Sequence, residues 1–454
     1  MSIKNHHRDN IQIHTFPNGF RIIYQKPKQV LPITSLHVFC KVGSIYETEH
    51  LRGISHFVEH MCFKGTKQMI HSNEIFMNYD EIGAYINAYT EKEFTCYTLK
   101  CSDIYVENST HILADMLLNS TFPKKEFIKE QKVIVEENIR NINDDEWFFF
   151  DKLNAIFYEG SSFAYPIDSI AYHPNATTLK YKDVVDWYHY FYHPQNMVMS
   201  VTSNLSFSEI IHILKTSFFV KTREKKRKLF EWISIPKMEI VPLIPIPKIE
   251  IFKKKGVSTN FVGVGFRTCN KKNPDRFPLQ LLNNILNGLS GRIYTALREK
   301  HGLTYRSDSV VEHKENTGYF LIYAETDPHK TIKDETHLGV LPIIIHIIKD
   351  LIQKGITNDE LKRFKGKIKG NYLMDLQDND VLTTYNGIEY ISAFDTNTFQ
   401  SEFIDYNDIY KTYIDNITKE DINRIIRKYF VVENRIIYIL GETVPTITQV
   451  KNCI

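Results

Sequence analysis

The sequence predicts an α+β protein of two structurally similar domains, each a mostly antiparallel sheet with helices packed on one face. Three observations support this. A strand-then-helix order runs through the first half of the chain and begins again in the second. Between the halves, Lys221, Arg223, Lys225, Lys226, Arg227 and Lys228 crowd together and Pro236, Pro242, Pro245 and Pro247 follow. Charge followed by proline packs neither as a helix nor as a central strand, so it reads as a linker. The halves also share a local pattern. Gly83-Ala84-Tyr85 opens a strand pair in the first, and Gly302-Leu303-Thr304-Tyr305 does so in the second. The expected division is therefore a first domain over residues 1–220, a basic, proline-rich linker over 221–247 and a second domain of similar fold over 248–454.

The elements follow in order. Phe16-Pro17-Asn18-Gly19-Phe20 is a turn signal, with Arg21 to Tyr24 a strand after it and Ile33 to Val42 its expected partner. Helical patterning holds from about Ser55 to Gly65, where glycine suits a stop. Asn73 to Glu81 reads as a second helix with Asn73 as its N-cap. Ala84 to Lys100 alternates and is rich in Tyr, Thr and Phe, as strands are. Two long helices are expected around Ser102–Leu118 and Lys124–Asn143. Beyond the linker, Asn260 to Arg267 is a strand, Phe277 to Leu286 and Gly291 to Lys300 are helices, and Gly302 to Val311 and Tyr319 to Ala324 are strands.

Composition narrows the function classes. Hydrophobic residues make up 43% and charged residues 24% of 454, enough to bury a sizeable core. A formal net charge of +2 points to neither nucleic acid nor an anionic membrane. The basic run at Lys221–Lys228 has no interleaved aromatics and reads as a solvated linker. Six cysteines without a CxxC pair suggest reduced thiols. The polar segment Met1 to Gln12 has no signal-peptide core. An intracellular, cytoplasmic location is expected, with an organelle or viral origin left open. The most apolar stretch, Val340 to Ile352, is interrupted by Pro342, His346, Lys349 and Asp350 and reads as a buried helix, so no membrane span is expected.

The chemistry is concentrated in His56-Phe57-Val58-Glu59-His60. On a helix, residues four apart stand on one face one turn apart, so two imidazoles can bind one metal ion. Glu59 lies on the same half of the helix and can reach a metal-activated water without being a ligand. This is the inverted H-x-x-E-H arrangement. Hydrolytic zinc takes three protein ligands and leaves one position open. Glu137, on the expected helix Lys124–Asn143, is the best third candidate. Glu130, seven residues earlier, shares its face and would orient a ligand histidine. A second pair, His189 and His193, has no acid between its members, and Pro194 ends any helix there, so aromatic packing explains it better. Cys62 falls on the far side of the helix, as a small core residue would.

The stretch Gly53-Ile54-Ser55-His56-Phe57-Val58-Glu59-His60-Met61-Cys62-Phe63-Lys64-Gly65-Thr66 resembles the signature of the pitrilysin/insulinase family of zinc peptidases, and most closely its mitochondrial-processing-peptidase-like branch. The likeness runs over nearly the whole chain. It implies Glu137 as third zinc ligand and Glu130 as the supporting glutamate. Asn87-Ala88-Tyr89-Thr90 is similar to the family's edge strand, which pairs with the substrate backbone. Leu297-Arg298-Glu299-Lys300-His301-Gly302-Leu303-Thr304-Tyr305 resembles a second-domain motif and so implies roles for Arg298 and Tyr305. Tyr192-His193-Pro194-Gln195-Asn196-Met197 also matches a family segment, which gives His193 a structural role. The glycine-rich loop of relatives is reduced here to Asn287-Gly288-Leu289-Ser290-Gly291-Arg292.

The resemblance implies a metalloendopeptidase with one Zn2+ per chain, acting on extended or unfolded peptides or presequence-like segments. It also implies a homodimer, or a heterodimer with a family member, because the chain has half the length of the family's four-domain members. Some relatives have lost their ligands and do not cleave, so the alternative is a catalytically silent scaffold or peptide-binding subunit. The intact ligand set favours the enzyme.

Overall fold

The computed structural model describes residues 11–167, 179–221, 247–393 and 409–454; the linker expected at 221–247 lies outside them apart from its end residues. Contacts divide the chain into two compact units, each built on one sheet. The first sheet comprises β1 (Ile11–Thr15), β2 (Arg21–Gln25), β3 (Ile33–Cys40), β4 (Tyr85–Thr90), β5 (Thr95–Ser102) and β6 (Met197–Thr202), in the order β1-β2-β6-β3-β5-β4. The second comprises β7 (Lys248–Lys253), β8 (Asn260–Thr268), β9 (Thr304–His313), β10 (Gly318–Thr326) and β11 (Arg435–Gly441), in the order β7-β11-β8-β10-β9.

Without β1 the two orders are the same: first, last, second, fourth, third. Even the single parallel pairing falls in the same place, β2 with β6 and β7 with β11, and all others are antiparallel. The repeated pattern at Gly83 and Gly302 marks the equivalent point in each unit, just before the edge strands β4 and β9.

Alternation along β3 sorts its side chains onto two faces. Leu36, Val38 and Cys40 point to the face that carries α1 (Ile54–Met61), α3 (Val106–Leu118) and α6 (Tyr181–Phe191). Cys40 Sγ reaches the Phe191 carbonyl on that side. Ser35, His37 and Phe39 point the other way, where a helix from far along the chain, Asn379–Ala393, lies across β3 and β6. His37 Nε2 meets Asp380 at 2.9 Å, and Thr383 and Asn386 hydrogen-bond Thr202 and Gln25.

The exchange is reciprocal. The first unit takes in Tyr372–Tyr406, and the second takes in Ile142–Ala164 from the first half of the sequence. Within that second segment α5 (Asp145–Phe157) packs on β8 and β11, with Phe149 against Phe261 and Tyr438 and Phe157 stacked on Tyr319 at 4.5 Å. Neither unit is a contiguous half of the chain. The 1–220 and 248–454 division does not contain this crossing.

Glycine makes both packings possible. Gly263 and Gly265 of β8 lie under the Phe149 and Phe157 rings, and Gly387 lies on the ring of fully buried Phe39. In most helix interiors alanine is better than glycine. At Gly387 a Cβ would overlap Phe39, whose ring is enclosed by Ile23, Phe94, Val198 and Tyr390. Gly387→Ala is therefore expected to destabilise the protein by about 1–3 kcal/mol, the usual cost of overpacking, read as a lowered midpoint in denaturant.

Candidate metal centre

Helix α1 has only eight residues, too few to persist without tertiary support. Ile54, Phe57, Val58 and Met61 fall at helical spacing and are fully buried. The start of the helix is held from outside. Gly53 adopts φ +82°, which glycine does freely, and the backbone N–H groups of Gly53 and Ser55 donate to the Glu47 carboxylate at 2.7 and 2.9 Å. Burial pushes the Glu47 carboxyl up to about 7, against the pull of those N–H donors. Glu47 carries no sequence signal as a helix cap because it sits six residues upstream of Gly53.

Helix α4 (Lys124–Asn143) supplies the acids. Phe127, Glu130, Ile134 and Asn138 form its buried stripe, and Phe127 packs on Phe57 of α1 with centroids 5.1 Å apart. That contact places the next turn of α4 beside the histidines. The Nε2 atoms of His56 and His60 stand 3.1 Å apart, and Glu137 Oε2 lies 3.6 Å from His60 Nε2. Zinc–nitrogen and zinc–oxygen distances near 2.0–2.1 Å give a tetrahedral edge of about 3.3 Å. Both separations lie within a few tenths of an ångström of it, so His56 with His60, and His60 with Glu137, are each spaced as two ligands of one cation.

His60 Nδ1 meets Glu130 Oε1 at 3.1 Å, and Lys64 Nζ meets Glu130 Oε2 at 2.7 Å. Burial alone would raise Glu130. The His60 hydrogen bond and the Lys64 ammonium outweigh it and hold the carboxyl below its ordinary value. A charged Glu130 accepts the His60 Nδ1–H and so leaves the lone pair on Nε2, facing the site. Lys64 was not singled out from the sequence; its signal is its i+4 spacing from His60.

Glu59 is buried, and Thr90 Oγ1 donates to its Oε2 at 2.5 Å. Burial raises its pKa, with His56, Thr90 and His60 pulling it down. Among the described residues, His56, Glu59 and His60 are the one group of three potential ligands whose donor atoms all lie within 4.8 Å of one another. Glu137 adjoins this group through His60. His189 is exposed on α6 among buried Trp187, Tyr188, Tyr190 and Phe191, and belongs to no such group.

The remaining candidates fall in two places. Asn87, Ala88, Tyr89 and Thr90 lie on β4, the edge strand of the first sheet. Arg298 and Tyr305 belong to the second unit, where Arg298 Nη1 donates to the Tyr305 carbonyl at 3.2 Å and lies over the Tyr305 ring. Tyr305 is 93% exposed, so its hydroxyl is available to a ligand.

Residues 23–168 match the model of insulinase (peptidase family M16), and residues 178–368 match that of the peptidase M16 inactive domain. YmxG of Bacillus subtilis, an uncharacterized zinc protease, is 30% identical over 379 residues, which cover 83% of this chain and 87% of that protein. The chain belongs to the insulinase family, peptidase family M16. An uncharacterized zinc protease of Rickettsia felis is 27% identical, covering 81% of this chain and 84% of its own. The fold of this M16 chain is shared by a Helicobacter pylori protease, with TM-score 0.85 at 21% identity, covering 95% of this chain and 99% of that one. It is shared too by a Pseudomonas fluorescens structure described as a peptidase M16 inactive domain, with TM-score 0.81 at 18% identity, covering 96% and 99%. Among the described residues no helix is long and apolar enough to cross a membrane, and the 340–354 stretch is a buried helix.

Proposed function

We propose that this chain is a zinc-dependent endopeptidase that hydrolyses peptides presented in extended or unfolded form. One observation carries the reading: the His56 and His60 Nε2 atoms converge at 3.1 Å beside the Glu137 carboxylate, with Glu59 next to them. Zinc is the metal named for the Bacillus and Rickettsia relatives. Two imidazole nitrogens and one carboxylate oxygen form a common donor set for hydrolytic zinc. His56, His60 and Glu137 would hold one ion per chain, with Glu130 orienting His60.

Bound zinc supplies a Lewis acid and brings the acidity of a water molecule into the neutral range. Glu59 accepts a proton from the attacking water at Oε1, the oxygen that Thr90 leaves free, and returns it to the leaving amine. The substrate backbone pairs along the outer edge of β4 at Asn87–Thr90, which selects for extended chain more than for side-chain identity. Arg298 and Tyr305 steady the developing oxyanion or the peptide beside it. They act in a dimer, in which one copy serves the zinc helix of another.

The test is direct. Purified protein should carry about one zinc per chain and cut unstructured peptides. A chelator should abolish cutting and added zinc restore it. Metal-free protein that never cuts, with or without added zinc, would overturn the reading and leave the fold as a scaffold.

A further inference from the structure

We propose that Thr90 is a positioning residue for the general base, and that it couples the edge strand to Glu59. The inference rests on the peptidase reading of Glu59 and gives the Thr90 hydroxyl, there only a hydrogen-bond donor to one oxygen, a role of its own. Strand alternation decides where the Thr90 hydroxyl goes. Asn87 and Tyr89 fall on the face of the sheet that carries the 379–393 helix, with Tyr89 packed into the cluster of Phe94, Cys96 and Tyr390. Ala88 and Thr90 fall on the opposite face, the one that carries α1. There Thr90 Oγ1 donates to Glu59 Oε2 at 2.5 Å.

Thr90 is itself anchored. Its backbone pairs with Thr95 of β5, its hydroxyl lies 3.5 Å from Thr95 Oγ1, and Thr95 donates to the Val42 carbonyl at 2.9 Å. A threonine, stiff at χ1, thus fixes one carboxylate oxygen and leaves the other to accept a proton. Because β4 is an edge strand, the residue that aims the base belongs to the strand along which a peptide would pair.

Three substitutions separate the roles of the side chain. Thr90→Val keeps the shape and the strand preference but removes the donor. It should lower kcat by about 10–100-fold, the cost of a misaligned base, with KM and zinc content close to wild type. Thr90→Ser keeps the hydroxyl and should recover most of kcat. Thr90→Ala, lacking both groups, should resemble valine in kcat. A crystal structure of Thr90→Val gives a readout independent of turnover: the Glu59 carboxylate should leave its present position or split between rotamers, and in Thr90→Ser it should stay. Four outcomes would overturn the proposal. These are an unmoved Glu59 in Thr90→Val, a wild-type kcat in that variant, equal loss in valine and serine, or a rise in KM at constant kcat. A zinc-loaded wild type that cuts no peptide would instead remove the peptidase reading, while the crystal structures still decide whether Thr90 holds Glu59.

Discussion

Glu59→Gln should bind zinc as the wild type does and lose about 10³-fold or more in kcat, within the usual range for removing a general base. Glutamine has nearly the same shape and its amide oxygen can still accept from Thr90, so α1 and its packing are left alone. What disappears is the atom that accepts the proton. Metal content and single-turnover cleavage, measured on the same preparation, check the prediction. Loss of zinc would mean that Glu59 is a ligand, which its place in the three-membered group with His56 and His60 makes a real alternative. The same variant also tests the dimer. Mixed with Tyr305→Phe chains, it should form mixed dimers that regain one working site. No recovery would show that each chain works with its own Arg298 and Tyr305.

The helix that brings His56, Glu59 and His60 together was legible because its spacing is local. Two histidines and a glutamate within one and a half turns put two imidazoles and a carboxylate on one side of any helix that forms there, and the apolar residues Ile54, Phe57, Val58 and Met61 say which side is buried. The acids on α4 were legible for the same reason, through the seven-residue step from Glu130 to Glu137. Glu47, Lys64 and the Thr90 hydroxyl were not read as parts of the site. Each acts through the folded chain, and a lone Glu, Lys or Thr has many ordinary roles.

Some elements were hidden for physical reasons. Strands β6 and β11 are central and covered on both faces, so Met197–Thr202 and Arg435–Gly441 show no in–out alternation. The 379–393 helix meets its sheet through Thr383, Asn386 and Gly387 as much as through apolar side chains, and a stripe containing threonine, asparagine and glycine does not read as a core helix. At the second helix, α2 (Ser72–Glu81), Asn73 is inside the first turn; His71 is the N-cap and makes no side-chain cap bond. The exchange of helices between units is a property of topology. The duplicated strand order was visible only as a faint repeat at Gly83 and Gly302, yet it accounts for the arrangement. In each half, a long helix is followed by one that crosses to the other sheet: α4 then α5, and Asn358–Asp375 then Asn379–Ala393.

Glu137→Gln is the reciprocal experiment, and its expected effect falls on the metal. The Glu137 side chain is 29% exposed and its Oε2 faces the His60 nitrogen, whereas Glu59 is more deeply buried with one oxygen already engaged by Thr90. A neutral amide offers the cation no compensating charge. Zinc affinity should therefore fall by more than the roughly 10–100-fold that loss of a supporting partner such as Glu130 costs, and activity should return only at high zinc. Arg140, 3.5 Å from the other Glu137 oxygen, adds to the effect, since its positive charge is then unopposed near the ion. Titration with a competing chelator measures the affinity directly. The two carboxylates are told apart by which property each one carries. If Glu137→Gln keeps tight zinc while Glu59→Gln releases it, the ligand and the base have been assigned the wrong way round. If both keep zinc, the third donor lies elsewhere and the corner formed by His56, His60 and Glu137 is not the metal site.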